Sequence, residues 1–282
     1  MMKKTIIFSL LLATALVAKT FTFTAIPDQD ETKLKERFDK VAKYLTKELG
    51  VEVKFIPVKS YAASITAFRN NQVQLAWFGG LSGVQARLLV PDSQAIVQGK
   101  EDPAFYSYII ANSATGITRN DAFPKDIVGK TFTFGSKGST SGRLMPEFYI
   151  RENLNKDPNE LFSKVGFAGN HSKTIALVTS GAYEVGAVNY KVWDRELANG
   201  NIDTSKVKVI WQTPPYPDYQ FTIRGDVEKE FGGGFIRRVQ TALIDLKDPE
   251  ILSAFPRESF IPAQNSDFEP ILSVGKEVGL ID

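Results

Sequence analysis

The chain has no cysteine and only one histidine among its 282 residues. The missing cysteine excludes disulfides, thiol chemistry and cysteine-ligated zinc, and with them the lipidated cysteine that tethers an exported protein to a membrane. No His/Asp/Glu spacing resembles a metal site, so neither metal nor cofactor is expected. Excess charge is missing as well. The formal net charge of +2 is supplied by Lys3 and Lys4. The remainder is balanced and offers nothing for nucleic acid or another polyanion. Long apolar runs are confined to the N-terminus, where Met1-Met2-Lys3-Lys4 leads into the apolar and small residues Thr5 to Ala18. A basic start, an apolar stretch of about 12 residues and a run of small residues describe a Sec-type signal peptide, too short for a membrane span. Cleavage after Ala15 satisfies the small-x-small rule, and cleavage after Ala18 leaves Lys19 to open the first strand. The expected product is a soluble, exported, periplasmic protein without a lipid anchor.

What is present after Ala18 alternates between strand and helix signals. Phe21 to Ile26 alternates with period two and stops at Pro27-Asp28. Leu34, Phe38, Val41, Ala42 and Leu45 recur at helical spacing and end at Gly50. Val51 to Val58 reads as a strand, Tyr61 to Phe68 as a helix, and Gln74 to Phe78 as a buried strand running into Gly79-Gly80. Ala95 to Gln98 and Tyr106 to Ala111 are further strands. The pattern restarts after about residue 112 with Phe132-Thr133-Phe134, then Val165 to Ala168, the helix Ser172 to Thr179, and the strand Val185 to Val188. Val207 to Trp211 and Phe221 to Arg224 are late strands. Val227 to Leu246 is helical, split by Gly232-Gly233-Gly234. Alternation of this kind predicts an α/β protein with mostly parallel sheets. About 264 residues in two such units suit two lobes, with the ligand beyond the carboxyl ends of the strands in the crevice between them. The expected division is 1–18 signal peptide, 19–111 with 209–282 as a discontinuous first lobe, and 112–208 as the second.

One stretch carries most of the chemical information. Gly135-Ser136-Lys137-Gly138-Ser139-Thr140-Ser141-Gly142 follows the Phe132/Phe134 strand and precedes a helix-like run beginning at Arg143. A strand, a Gly/Ser turn and a helix start place free backbone N–H groups and small hydroxyls at the positive end of a helix dipole, which is an anion site. Lys137 and Arg143 flank it and are expected to be mainly solvated.

Taken together, Tyr61-Ala62-Ala63, Leu75-Ala76-Trp77-Phe78-Gly79-Gly80, the 134–146 stretch, Gly169-Asn170-His171 and Thr213 to Tyr219 resemble the substrate-binding proteins of phosphonate/phosphite-type ABC importers, in the branch labelled selenate-binding. The resemblance covers nearly the whole chain after Ala18. It implies a type II periplasmic-binding-protein fold, two α/β lobes joined by two crossover strands that close over the ligand. It also implies that Ser139, Thr140 and Ser141 grip an oxyanion together with Tyr61, His171 and the late acid Asp218. The carboxylate that binds the amine of aminoalkyl phosphonates is missing, because Val188-Asn189-Tyr190-Lys191 offers Asn189 and no acid. A second family tyrosine is Phe105 here unless Tyr106 replaces it. Both departures favour a small bare oxyanion: phosphonate, phosphite or a selenium oxyanion ahead of phosphate and sulfate. Trp77 and Gly79, at a strand end where backbone can approach a ligand, complete the expected site with Tyr106 and Asn189.

Burying an anion strips it of hydration, and several short donors must replace the water. Neutral hydroxyls and amides do this at roughly 1.5–3 kcal/mol for each bond to a charged acceptor. Asp218 fits such a pocket when the ligand carries a proton for the carboxylate to accept. The implied partners are the oxyanion and, transiently, an inner-membrane permease, with the protein a monomer. The same fold can instead present its ligand to a sensory receptor. A Ser-His-Asp hydrolase is the catalytic alternative. Against it, Thr140 occupies the centre of the 138–142 frame where G-x-S-x-G needs serine, and the order Ser, His, Asp is not that of the α/β-hydrolases. Lys137 comes too early for a phosphate-binding P-loop.

Overall fold

The computed structural model describes residues 19–29 and 31–282, so the expected signal peptide lies outside the described residues. Among the described residues eleven strands are formed: Phe21–Ala25 (β1), Val53–Phe55 (β2), Leu75–Phe78 (β3), Gln94–Gly99 (β4), Ser107–Asn112 (β5), Thr131–Phe134 (β6), Lys164–Phe167 (β7), Val185–Asn189 (β8), Val207–Gln212 (β9), Gln220–Ile223 (β10) and Phe260–Pro262 (β11). They make a six-stranded sheet in the order β11-β4-β10-β3-β1-β2 and a five-stranded sheet in the order β7-β6-β8-β5-β9. Each sheet is the centre of one lobe. No helix among the described residues is long and apolar enough to cross a membrane.

In β1 the alternating Phe21 and Phe23 are fully buried. Phe21 meets Phe231 and Phe235 edge to face, and Phe23 meets Phe38 edge to face and Phe55 at a tilt. In β5, Ile109 and Ala111 enter one apolar cluster and Ile110 another, so the strand is covered on both faces. The glycine triplet splits the late helix as expected, into Val227–Phe231 and Phe235–Ile244, with Gly232 and Gly234 at φ of 90° and 80°.

The sheets are mixed rather than mostly parallel. β1 runs parallel to β2 and β3, and β6 to β7 and β8, but β10 is antiparallel to β3 and β4, and β5 is antiparallel to β8 and β9. β5 and β10 follow the lobe crossings, where the chain re-enters a sheet from the other side, and β11, antiparallel to β4, forms the edge of the first sheet. The crossings also differ from the expected boundaries at 111/112 and 208/209. They fall between Gly99 and Ser107 and between Gln212 and Gln220, so that β5 and β9 both belong to the second sheet. An apolar strand read alone does not say which sheet receives it.

Register positions the site. Gln220 of β10 pairs with Phe78 of β3, which brings Asp218 beside Gly79-Gly80. Phe134 of β6 pairs in parallel with Phe167 of β7, and Thr133 with Gly186 of β8. The three segments leaving those carboxyl ends therefore emerge side by side, carrying Ser139, His171 and Asn189.

Candidate ligand-binding site

Five helical segments start at the seam between the lobes, at Tyr61, Gly80, Thr140, His171 and Tyr190. Four have polar caps that fix the first turn: Ser60 accepts from Ala63 N, Ser139 from Gly142 N, Asn170 from Lys173 N, and Asn189 from Val192 N. The Ser139 segment begins with a π-turn, Thr140–Leu144, before the α-helix Met145–Leu154. The helical path thus starts three residues before the Arg143 expected from the sequence, inside the hydroxyl cluster. The wide first turn leaves the N–H groups of Thr140 and Ser141 at positions that have no intrahelical partner.

The lobes touch through the site. Leu81 N donates to the Thr140 hydroxyl at 2.9 Å, His171 N donates to the Asp28 carbonyl at 3.2 Å, and Asn189 Nδ2 donates to Tyr219 Oη at 2.8 Å. Asp218, on the second crossing, donates its N–H to the Asp102 carbonyl of the first crossing at 3.1 Å and accepts from Gly80 N at 2.8 Å through Oδ1. Two glycines allow this approach. A Cβ on Gly79 would stand 3.2 Å from both Asp218 Oδ1 and Thr140 Oγ1. One on Gly142 would stand 2.9 Å from Ser139 Oγ and 3.0 Å from His171 Cε1.

Three buried side-chain atoms here have no hydrogen-bond partner: Tyr61 Oη, His171 Nε2 and Asp218 Oδ2. Their residues are 2%, 0% and 1% exposed, and they come from the first lobe, the second lobe and a crossing, respectively. An unpaired polar atom at such depth is costly unless something arrives to bond it.

The charge state of each follows from its surroundings. Burial lowers the His171 pKa to about 4, with nearby Asp28 acting weakly against the shift. The ring is therefore neutral at ordinary pH. Asn189 N donates to Nδ1 at 3.3 Å, which makes Nδ1 the acceptor and puts the hydrogen on Nε2, the free atom. Burial pushes Asp218 up to about 7, against the pull of the Gly80 N–H and the Thr140 hydroxyl. Burial, with Asp28 and Asp218 nearby, raises the Tyr61 phenol well above its usual range, so it remains a donor. The pocket thus presents neutral donors and one carboxyl poised to hold or release a proton.

The expected site residues divide into two groups. Ser139, Thr140, Ser141, Tyr61, His171, Asp218 and Gly79 meet at the seam. Trp77 does not take part. It stacks on Tyr219 at 5.5 Å and packs against Phe221, Phe255 and Phe260 in the first-lobe core. Tyr106 turns away and stacks on Tyr190 at 3.8 Å, while Phe105 is the buried member of that pair, 5.4 Å from Tyr219. Asn189 stands one step back. Its side chain caps a helix and holds Tyr219, and its N–H sets the His171 tautomer. Thr140 Oγ1 closes the lobes on each other through Leu81.

Sequence reasoning missed several supports. Ser107 donates to the Ser141 carbonyl at 2.7 Å and meets Tyr216 Oη at 2.5 Å. Under Asp218 lies a buried ion pair, Arg257 with Asp102, held by contacts of 2.7–3.0 Å. Burial works against the Arg257 charge, but Asp102 outweighs it and holds the guanidinium firmly protonated. The guanidinium lies over Trp77, Phe105 and Tyr219 at 5.0–5.8 Å. Its partners are 155 residues apart in sequence, and no local pattern marks them. Among the described residues no group of three His, Asp or Glu side chains could hold a metal ion.

Comparison with known proteins gives a consistent set of likenesses. Residues 23–268 match a family described as the periplasmic substrate-binding protein of the phosphonate ABC transporter. A protein of Prochlorococcus marinus (strain MIT 9301), named "Probable ABC transporter phosphite binding protein PhnD1", is 40% identical over 270 residues, 93% of this chain and 91% of that one. The phosphonates-binding periplasmic protein of Escherichia coli K12 is 29% identical over 204 residues, 71% of this chain and 59% of that one. The structure of PhnD1 in complex with methylphosphonate matches with a TM-score of 0.89, covering 93% of this chain and 99% of that one. A binding protein component of a Pseudomonas aeruginosa ABC phosphonate transporter shares the fold at 21% identity with a TM-score of 0.80, over 93% of this chain and 87% of that one. These neighbours are periplasmic binding proteins, and the two mixed sheets have the type II arrangement.

Proposed function

This chain belongs to the periplasmic substrate-binding proteins of phosphonate ABC transporters, and on that premise we propose that it captures a small phosphorus oxyanion, phosphite or methylphosphonate, between its lobes and delivers it to a membrane permease. The observation that carries this reading is the set of three unpartnered buried atoms at the seam, Tyr61 Oη, His171 Nε2 and Asp218 Oδ2. Tyr61 and His171 donate to ligand oxygens from opposite lobes. The Thr140 and Ser141 N–H groups and the Ser139 and Ser141 hydroxyls complete the cage. Asp218 shares one proton with the ligand: as a carboxylate it accepts from a hydrogen phosphonate, and as an acid it donates to the dianion. A ligand held by both lobes favours the closed form by the energy of the contacts that the open form lacks.

The relative bound to methylphosphonate and the relative named for phosphite support a ligand of this size. The absence of an acid in 188–191 argues against an amine-bearing phosphonate. Selenate and sulfate have no proton to share near neutral pH, so they bind well only where Asp218 is itself protonated, below about pH 7. Calorimetry of ligand-free protein at pH 6 and pH 8 against phosphite, methylphosphonate, 2-aminoethylphosphonate, phosphate, selenate and sulfate tests the assignment. Binding of none of these below about 1 mM, roughly −4 kcal/mol, ends it.

Catalysis is not part of this function. A Ser-His-Asp relay needs Nδ1 of the histidine to donate to the acid, whereas Nδ1 of His171 accepts a backbone N–H. The exported form starts after Ala15 or Ala18, which N-terminal sequencing of periplasmic protein decides, and it acts as a monomer.

A further inference from the structure

Three of the five large apolar side chains that stand exposed among the described residues, Leu88 (58%), Leu89 (50%) and Phe167 (39%), line adjoining grooves that share Ile65, Gln85 and Leu280 at one junction and Lys137, Arg143 and Phe167 at the other, and together these make a trough. Its second-lobe end is floored by Phe167, with Lys137 Nζ at 5.3 Å and Arg143 Cζ at 5.1 Å from the ring centre. Its middle crosses the seam between Ser60 and Gly138. There a Cβ on Gly138 would stand 3.3 Å from Cβ of Tyr61, so the two lobes are in contact. Its first-lobe end is formed by Ile65, Leu88, Leu89 and Leu280, and Gln85 Nε2 donates to the Leu280 carbonyl at 3.1 Å to hold that wall. Apolar exposure gathered on one face, rather than scattered, marks a surface that a partner covers.

We propose that this trough is the surface through which the closed protein docks on the permease, and this rests on the function proposed above. The partner segment presents an apolar side chain to Leu88 and Leu89 and a carboxylate to Lys137. Charge selects that chemistry. Arg143 is already paired with Glu147 at 3.2 Å, whereas exposed Lys137 has no ion-pair partner among the described residues. Exposed Lys59 adds a second cation beside Ser60. The position of the trough selects the permease over other occupants. Its walls come from both lobes, which meet beside it where Gly138 rests on Tyr61 and Thr140 meets Leu81, so a rotation of one lobe against the other would part them. A partner seated there distinguishes closed protein from open, as a transporter must if it is to respond to loaded protein. By linkage, the same partner favours closure.

The test uses the full chain, expressed in its own periplasm and also purified. In Leu88→Asp/Leu89→Asp and, separately, Lys137→Glu, methylphosphonate affinity by calorimetry stays within about twofold of wild type, since both leucines are exposed on the first lobe and the Lys137 ammonium lies out over the Phe167 ring in solvent, where its charge is screened. Cellular uptake of labelled methylphosphonate falls at least about tenfold for the double change and about threefold for Lys137→Glu. Wild-type uptake in both variants overturns the proposal. If the double variant fails to accumulate, Lys137→Glu alone decides, because an exposed lysine can change sign without loss of folding. A wild-type dimer in light scattering that Leu88→Asp/Leu89→Asp dissolves would give the trough to a second copy of the chain and also overturn it. Wild-type protein that binds no anion of the panel would instead sink the function, and this is known before either variant is made.

Discussion

The two lobes contribute opposite things to the same seam. In the first lobe the start of the Gly80–Leu89 helix is already occupied: Gly80 N is bonded to Asp218 and Leu81 N to Thr140. In the second lobe the π-turn leaves the N–H groups of Thr140 and Ser141 at partnerless positions, and His171 Nε2 is free. The first lobe, with its aromatic floor of Trp77, Phe221, Phe255 and Phe260, supplies a rigid frame, a latch receptor and a single phenol. The second lobe supplies most of the donors. On the function proposed above, an anion is gripped chiefly from one side, and closure adds Tyr61 and excludes water.

The largest effect expected on this division lies beneath both lobes. Asp102→Asn leaves Arg257 buried without a countercharge and removes support from the crossing that holds Asp218. Destabilisation of about 3–5 kcal/mol follows in urea unfolding. Asp102→Leu with Arg257→Met recovers much of it if the pair serves the frame rather than the ligand. Next come the donors. His171→Ala and Tyr61→Phe should each weaken phosphite binding about 10–100-fold by calorimetry, as loss of one bond to a charged acceptor of about 1.5–3 kcal/mol requires. Equal affinity in either variant would remove that residue from the grip, and with it one lobe from the comparison. Smaller still is Thr140→Val, which leaves Leu81 N–H unpaired in the closed form alone. It should cost about fivefold to tenfold in affinity, and small-angle scattering with ligand should report a larger open fraction than in wild type.

The second lobe was far more legible in the sequence than the support beneath it. Ser139 to Ser141 and His171 sit at helix starts with glycine, serine or asparagine beside them, and a helix start is a local event that a few residues specify. The register that sets Asp218 beside Gly80 joins β10 to β3 across more than a hundred residues, and nothing near Asp218 encodes it. The same holds for Arg257 with Asp102 and for the membership of β5 and β9 in the second sheet. Trp77 misled because an aromatic residue at a strand end looks the same whether it faces a ligand or, as here, the lobe core. Tyr106 and Phe105 are neighbours on one extended segment, so only the backbone direction decides which of them points inward.

The finest distinction between the donor side and the crossing lies in their proton linkage. His171 has its folded pKa depressed to about 4 from 6.5, so its contribution to stability is present above about pH 6.5 and is lost as pH falls toward 4. Asp218 has its folded pKa raised from 3.8 to about 7. Its contribution therefore has the opposite sign, present below about pH 4 and lost as pH rises through 7. Between pH 4.5 and 6.5 the two slopes oppose each other in the ligand-free protein. His171→Asn should leave the Asp218 slope uncovered, so that stability relative to wild type falls as pH rises through this window. Asp218→Asn should do the reverse. Urea midpoints at pH 4.5 and 6.5 measure both, with a limiting slope of about 1.4 kcal/mol per pH unit for each group. Shifts of the same sign in the two variants would mean that histidine and acid do not titrate as separate halves of one pocket, and that the neutral-donor account of the second lobe is wrong.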